Sequence, residues 1–102
     1  MLLQLGEELH IDRIIWLDDI VEKLERRHGV KKSEVWELLQ SKPKFRFVEK
    51  GHREGDNVYA ALGRTEAGRY LVVFFIYKTT KAALVISARD MTQGERKRYE
   101  KK

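Results

Sequence analysis

The chain has 102 residues and a mass of 12.1 kDa, which leaves room for one domain over residues 1–102. Cysteine is absent, so a disulfide framework, a thiolate metal site and a cysteine nucleophile are all excluded. The net charge of +5 is unevenly spread: residues 1–22 hold six acids and one base, a net of −5, and residues 23–102 carry +10. That surplus suits a polyanion such as RNA or DNA, an acidic protein partner, or simply a well-solvated surface, and charge alone does not choose among them.

Leu, Ile, Val and Phe total 29, enough to build a core. The longest apolar run, Leu71 to Tyr77, is too short to cross a bilayer. No basic-then-apolar leader opens the chain, and a soluble cytoplasmic protein without membrane contact is expected.

Residues 1–8 lack a period and read as a flexible or strand-like lead-in. Residues 9–16 are Ile-rich and partly alternating, which predicts a short strand. Asp18 or Asp19 is expected to cap a helix reaching about Arg27, with Ile20, Val21 and Leu24 inward and His28-Gly29 as its stop. Ser33 is expected to cap a second helix with Val35, Trp36 and Leu39 inward, ending before Lys42-Pro43.

From Lys44 the period becomes two. Strands are predicted over 44–50, 57–63, 69–77 and 82–88, the third apolar on both faces as a covered central strand would be. Short links between them favour an antiparallel meander. Thr92-Gln93-Gly94-Glu95 fits a capping box that opens a basic helix through Tyr99. The expected order is β-α-α-β-β-β-β-α: an α+β fold with an antiparallel sheet of four to five strands and helices on one face.

The chemistry-bearing residues are mostly bases. His10, His28 and His52 lie in different elements without ligand spacing, so no metal site is expected, and the glycines form no phosphate-binding pattern. Lys44 and Arg46 project from one face of their strand, Arg64 closes the next, and Arg89 ends the last. Guanidinium forks at strand ends suit the non-bridging oxygens of a phosphodiester, where charge accumulates in a transition state. Each arginine taken singly reads more readily as a surface salt bridge. His28 has the chemistry of a general acid or base near neutral pH, or of a helix-end cap. Tyr99 has that of a base-stacking ring, a proton donor, or an aromatic anchor for the last helix.

Three stretches resemble the BrnT toxin family: Trp16 with His28-Gly29-Val30; Ala61-Leu62-Gly63-Arg64 with Arg69 to Val73; and Ile86 to Thr92 with Glu95 to Glu100. The resemblance spans about residues 11–100. It implies a RelE-like fold and the toxin of a type II toxin–antitoxin pair. Such a toxin would be an endoribonuclease that needs no metal or cofactor, cuts RNA by 2′-hydroxyl attack and stops translation. It implies a BrnA-like ribbon-helix-helix antitoxin as partner, with operator DNA bound through that antitoxin. By matching position it assigns the phosphate clamp to Arg64 and Arg89, and proton transfer or stacking to His28 and Tyr99. It gives the RNA backbone to the basic helix, with Arg96, Lys97 and Arg98, and the strand cations Lys44 and Arg46, read from the pattern of their strand, are expected to add RNA contacts. Ile20 and Leu24 stand where many relatives carry Lys and Asn. The alternative is a non-catalytic nucleic-acid-binding or antitoxin-interaction domain of the same fold.

Overall fold

A computed structural model describes residues 9–101, so the expected lead-in at 1–8 lies outside the described residues. The elements are β1 (Arg13–Ile15), α1 (Asp18–Lys23) running directly into a π-helical turn (Leu24–His28), α2 (Lys32–Gln40), β2 (Lys44–Glu49), β3 (Val58–Arg64), β4 (Tyr70–Tyr77), β5 (Ala82–Asp90) and α3 (Gln93–Glu100). Apart from the π-turn, this is the expected order. Among the described residues no helix is long and apolar enough to cross a membrane.

The five strands lie in the order β1-β5-β4-β3-β2. The β2–β3, β3–β4 and β4–β5 pairs are antiparallel, as the short links demand. The expectation of a purely antiparallel sheet fails at β1, which pairs parallel with β5 over Arg13–Ile15 and Ala82–Leu84. Two helices separate β1 from β2, enough chain to carry it to the far edge in the parallel sense. The predicted strand at 9–16 shrinks to three residues because only that much of β1 meets β5.

Helices cover both faces, not one. Leu71, Val73 and Phe75 of β4 are buried with Leu24, Val35, Leu38 and Leu39 of the α1–α2 layer. The alternate residue Val72 is buried with Ala60 and Leu62, against Tyr99 of α3. Successive strand residues point to opposite faces, so the doubly apolar β4 requires two covering layers, and α3 supplies the second. Phe75, fully buried, is the largest core side chain and contributes about 2–3 kcal/mol of burial. At Gly63 a Cβ would stand 3.0 Å from Leu38 Cγ, so the glycine lets α2 lie close on β3.

Helix ends differ in detail from expectation. Leu17 is the N-cap of α1, with Asp18 and Asp19 in the first turn, where their charge meets the positive end of the helix dipole. Helix α2 begins at Lys32, placing Ser33 inside it, and the Lys31 N–H donates to Glu34 Oε1 at 3.0 Å. Trp36, expected inward, is 45% exposed because Val35, Leu38 and Leu39 take the sheet-facing positions. The box of α3 forms as predicted: the Glu95 N–H donates to Thr92 Oγ1 (3.1 Å) and the Thr92 N–H to Glu95 Oε1 (2.8 Å).

Candidate functional site

Cross-strand partners share a face, so the ladder sorts the basic residues. Lys44 pairs with Leu62, Leu62 with Val72, and Val72 with Arg89. Arg46 pairs with Ala60, Ala60 with Phe74, and Phe74 with Ser87, while Arg64 pairs with Tyr70. Lys44, Arg46, Arg64 and Arg89, from three strands, therefore lie on one face, the one α3 covers.

Aromatic rings and the polar ends of α3 organise this face. The Arg64 guanidinium carbon is 5.3 Å from the Tyr70 ring centroid, and that of Arg96 is 3.9 Å from it. Tyr99 meets Tyr70 edge-on at 6.0 Å. The Tyr70 hydroxyl donates to Glu100 Oε2 at 2.7 Å, which holds that carboxyl below its ordinary range. Lys44 Nζ lies 5.0 Å from the Tyr99 ring centroid and donates to the carbonyls of Tyr99 and Lys101. A cation there satisfies carbonyls that the end of α3 leaves open.

Arg89 is the most constrained of the group. Its Nη1 and Nη2 donate to Glu95 Oε1 and Oε2 at 2.8 and 3.0 Å, and Nη1 also reaches the Asp90 carbonyl at 3.1 Å. The guanidinium carbon stands 5.4 Å from the Phe74 ring centroid. Glu95 is buried, and the Arg89 fork with the amide of Thr92 pulls its carboxyl down to about 2. Arg46, Lys97 and Arg98 are exposed to solvent.

His28 does not join the arginine cluster. It ends the π-turn and lines a cavity of about 100 Å³ with Ile20, Lys23, Leu24, Arg27, Ile86 and Ser87. Ser87 belongs to the α3 face of β5, two residues from Arg89, so this cavity borders the basic face at the β5 edge. Among the described residues no group of three or more His, Asp or Glu side chains could hold a metal ion.

Arg69 falls in one of the stretches that carry the resemblance but is given no role by the sequence, yet it joins the helical layer to the sheet. Its Nε donates to Asp90 Oδ1 (2.8 Å), Nη1 to Glu34 Oε1 (3.2 Å) and the Gly29 carbonyl (2.8 Å), and Nη2 to the His28 carbonyl (2.6 Å). The Asp90 carboxyl is lowered by this contact and the guanidinium correspondingly raised. Nothing local ties residue 69 to residues 28, 34 and 90. Glu95 reads in the sequence only as a cap; its six-residue spacing from Arg89 is the one sequence signal for its second role.

A sequence profile described as "Ribonuclease toxin, BrnT, of type II toxin-antitoxin system" matches residues 16–95. The crystal structure of the Brucella abortus ribonuclease toxin BrnT superposes with a TM-score of 0.57 at 19% identity, covering 79% of this chain and 97% of that one. At that identity the superposition speaks for the fold. No curated protein matches the chain.

Proposed function

The chain belongs to the BrnT family of ribonuclease toxins of type II toxin–antitoxin systems, and from that premise we propose that it is a metal-independent endoribonuclease that inhibits translation. The observation that carries this reading is the gathering of Lys44, Arg46, Arg64 and Arg89 from three strands on one face. That face is lined by Tyr70 and Phe74 and flanked by the cations of α3.

In the proposed reaction the 2′-oxygen of RNA attacks the adjacent phosphorus. A P–O2′ bond forms and the P–O5′ bond breaks, leaving a 2′,3′-cyclic phosphate and a 5′-hydroxyl. One group takes the 2′-hydroxyl proton and another returns a proton to the leaving 5′-oxygen. Arg64 and Arg89 steady the charge on the non-bridging oxygens, Arg89 from a position set by Glu95. His28, in the cavity at the β5 edge, and Tyr99, on the basic face itself, are the proton-transfer candidates. Tyr99 also packs against the sheet and serves as the anchor of α3. Lys44, Arg46, Arg96, Lys97 and Arg98 hold the RNA backbone. The partner is a BrnA-like ribbon-helix-helix antitoxin, through which the complex reaches operator DNA.

Inducing the chain alone in bacteria tests the reading. Growth arrest with cleaved messenger RNA carrying cyclic-phosphate ends is expected, relieved by co-expressing the neighbouring open reading frame. Normal growth at confirmed soluble expression, with RNA left intact by the purified protein, would overturn it. The engagement of Arg89 by Glu95 favours a second reading, a non-catalytic nucleic-acid-binding or antitoxin-interaction domain. RNA bound with steep salt dependence but never cut is its signature.

A further inference from the structure

We propose that the cavity between the π-helical turn and β5 is a subsite for one nucleotide, its base on an aliphatic floor and its phosphate on a cationic rim. The claim deepens the ribonuclease reading and rests on it for the polymer from which the nucleotide comes.

Two backbone irregularities meet at this cavity. The π-turn Leu24–His28 forms one wall. The other is a bulge in β5: Phe74 pairs with Ser87 and Phe75 with Val85, leaving Ile86 as an extra residue. Such insertions weaken regular hydrogen bonding and recur where they re-aim side chains at functional sites. Here the bulge has a definite effect. Val85 and Ala88 are both buried in the core beneath the helices, which alternation alone forbids at a spacing of three. The extra residue permits it, and it also turns Ser87 and Arg89 onto the α3 face.

The site is accessible because β1 pairs with β5 only as far as Leu84. Beyond that point, among the described residues, the edge of β5 faces the π-turn and no strand. Ile20, Leu24 and Ile86 supply the aliphatic surface, Lys23 and Arg27 the cations, His28 an imidazole and Ser87 a hydroxyl, with no acid among the described lining residues. Among the described residues, the side chains of Lys23, Arg27 and His28 make no ion pair or hydrogen bond, whereas Arg69, Lys78 and Arg89 are each committed to a carboxylate. Uncommitted cations around an apolar floor match an anion that carries a flat ring.

Size and placement narrow the ligand further. A volume of about 100 Å³ is well below the ~300 Å³ lower end of drug-sized sites, so it takes only the ring of a single base and leaves sugar and phosphate outside, on the rim. Ser87 and Arg89 are two residues apart on one strand face, roughly 7 Å. A nucleotide seated here therefore puts the neighbouring phosphate of its strand within reach of Arg89.

The four 5′-mononucleotides and inorganic phosphate, titrated separately into the full chain, test the proposal by NMR of the isoleucine methyls and the His28 ring. At least one mononucleotide should produce saturable shifts at Ile20, Ile86 and His28, while phosphate binds at least tenfold more weakly and leaves the methyls unmoved. In the double variant Lys23→Ala/Arg27→Ala those shifts should vanish with the melting temperature unchanged. Shifts confined to the surroundings of Arg64 and Tyr70, equal binding of phosphate, or shifts that survive the double variant would each overturn the subsite. RNA cleavage is measured separately. Nucleotide binding without cleavage keeps the subsite and removes the ribonuclease reading; cleavage unaffected by the double variant, with no nucleotide bound, does the reverse.

Discussion

Arg89 and Glu95 face each other across the turn from β5 into α3, joined at two points, 2.8 Å from Nη1 to Oε1 and 3.0 Å from Nη2 to Oε2. The same carboxylate accepts the amide of Thr92 and so closes the capping box. One buried acid thus starts a helix and fixes the angle of a guanidinium on the basic face.

The pH dependence of this contact has a definite sign. The Glu95 carboxyl lies at about 2 in the folded chain against 4.5 for the free group. Its contribution is therefore full above about pH 4.5 and fades as pH falls towards 2. Glu95→Gln should lower stability near neutral pH by on the order of 1–3 kcal/mol and flatten the acid limb of the stability curve. Urea melts between pH 2 and 7 measure both effects; an unchanged acid limb would show that the pair contributes nothing.

Arg69 satisfies two carbonyls and two carboxylates from three separate parts of the chain. Arg69→Ala should cost on the order of 2–4 kcal/mol, because those acceptors lose their shared donor. Thermal unfolding should show a fall of roughly 10–20 °C for a domain of this size. Arg69→Lys should recover little, since an ammonium group cannot reproduce the planar fork.

Arg64 and Arg96 share the Tyr70 ring and lie on the proposed RNA path. Changing either to Ala should weaken single-stranded RNA binding and reduce the slope of log affinity against log salt by about 0.7 for each phosphate no longer neutralised. Melting temperature should stay within a few degrees. Fluorescence anisotropy at several salt concentrations is the measurement, and an unchanged slope would remove that arginine from the interface.

Two glycines should fail in different ways when changed to Ala. Gly29 ends the π-turn at φ +61°, and a Cβ there would meet nothing within 4 Å. Ala at this position therefore costs about 1 kcal/mol of backbone strain alone, and Asn should be better tolerated. Gly63 has an unobjectionable backbone, but its Cβ would press on Leu38 at 3.0 Å. Ala there should cost about 1–3 kcal/mol by overpacking, part of it recovered when Leu38→Val is added. Urea denaturation of the single and double variants separates strain from crowding.

Much of the local architecture is legible in the residues. The period of two in 44–50 and 57–63, the doubly apolar run at 69–77 and the Thr92–Glu95 spacing place β2, β3, β4 and the start of α3 to within a few residues. Arg64 and Arg89 can be put at strand ends from the sequence, but their common face follows from the register of β3, β4 and β5. The bulge at Ile86 is not legible, because an extra residue in β5 is defined only by its pairing with β4. Trp36 reads as inward from its spacing, but Val35, Leu38 and Leu39 already fill the stripe that α2 turns to the sheet.

The sequence by itself determined the periods, the turns and helix starts, and an excess of cations on a small α+β domain. These follow from bonds and side-chain alternation within a few residues. Only the tertiary structure decided that β1 joins β5 in parallel, that α3 takes the face opposite α1 and α2, that Glu95 holds Arg89, and that Arg69, just before β4, reaches residues 28, 29, 34 and 90. Those pairings depend on which surfaces the packed layers bring into contact, and a guanidinium finds its carboxylate only after the core has set the distance between them.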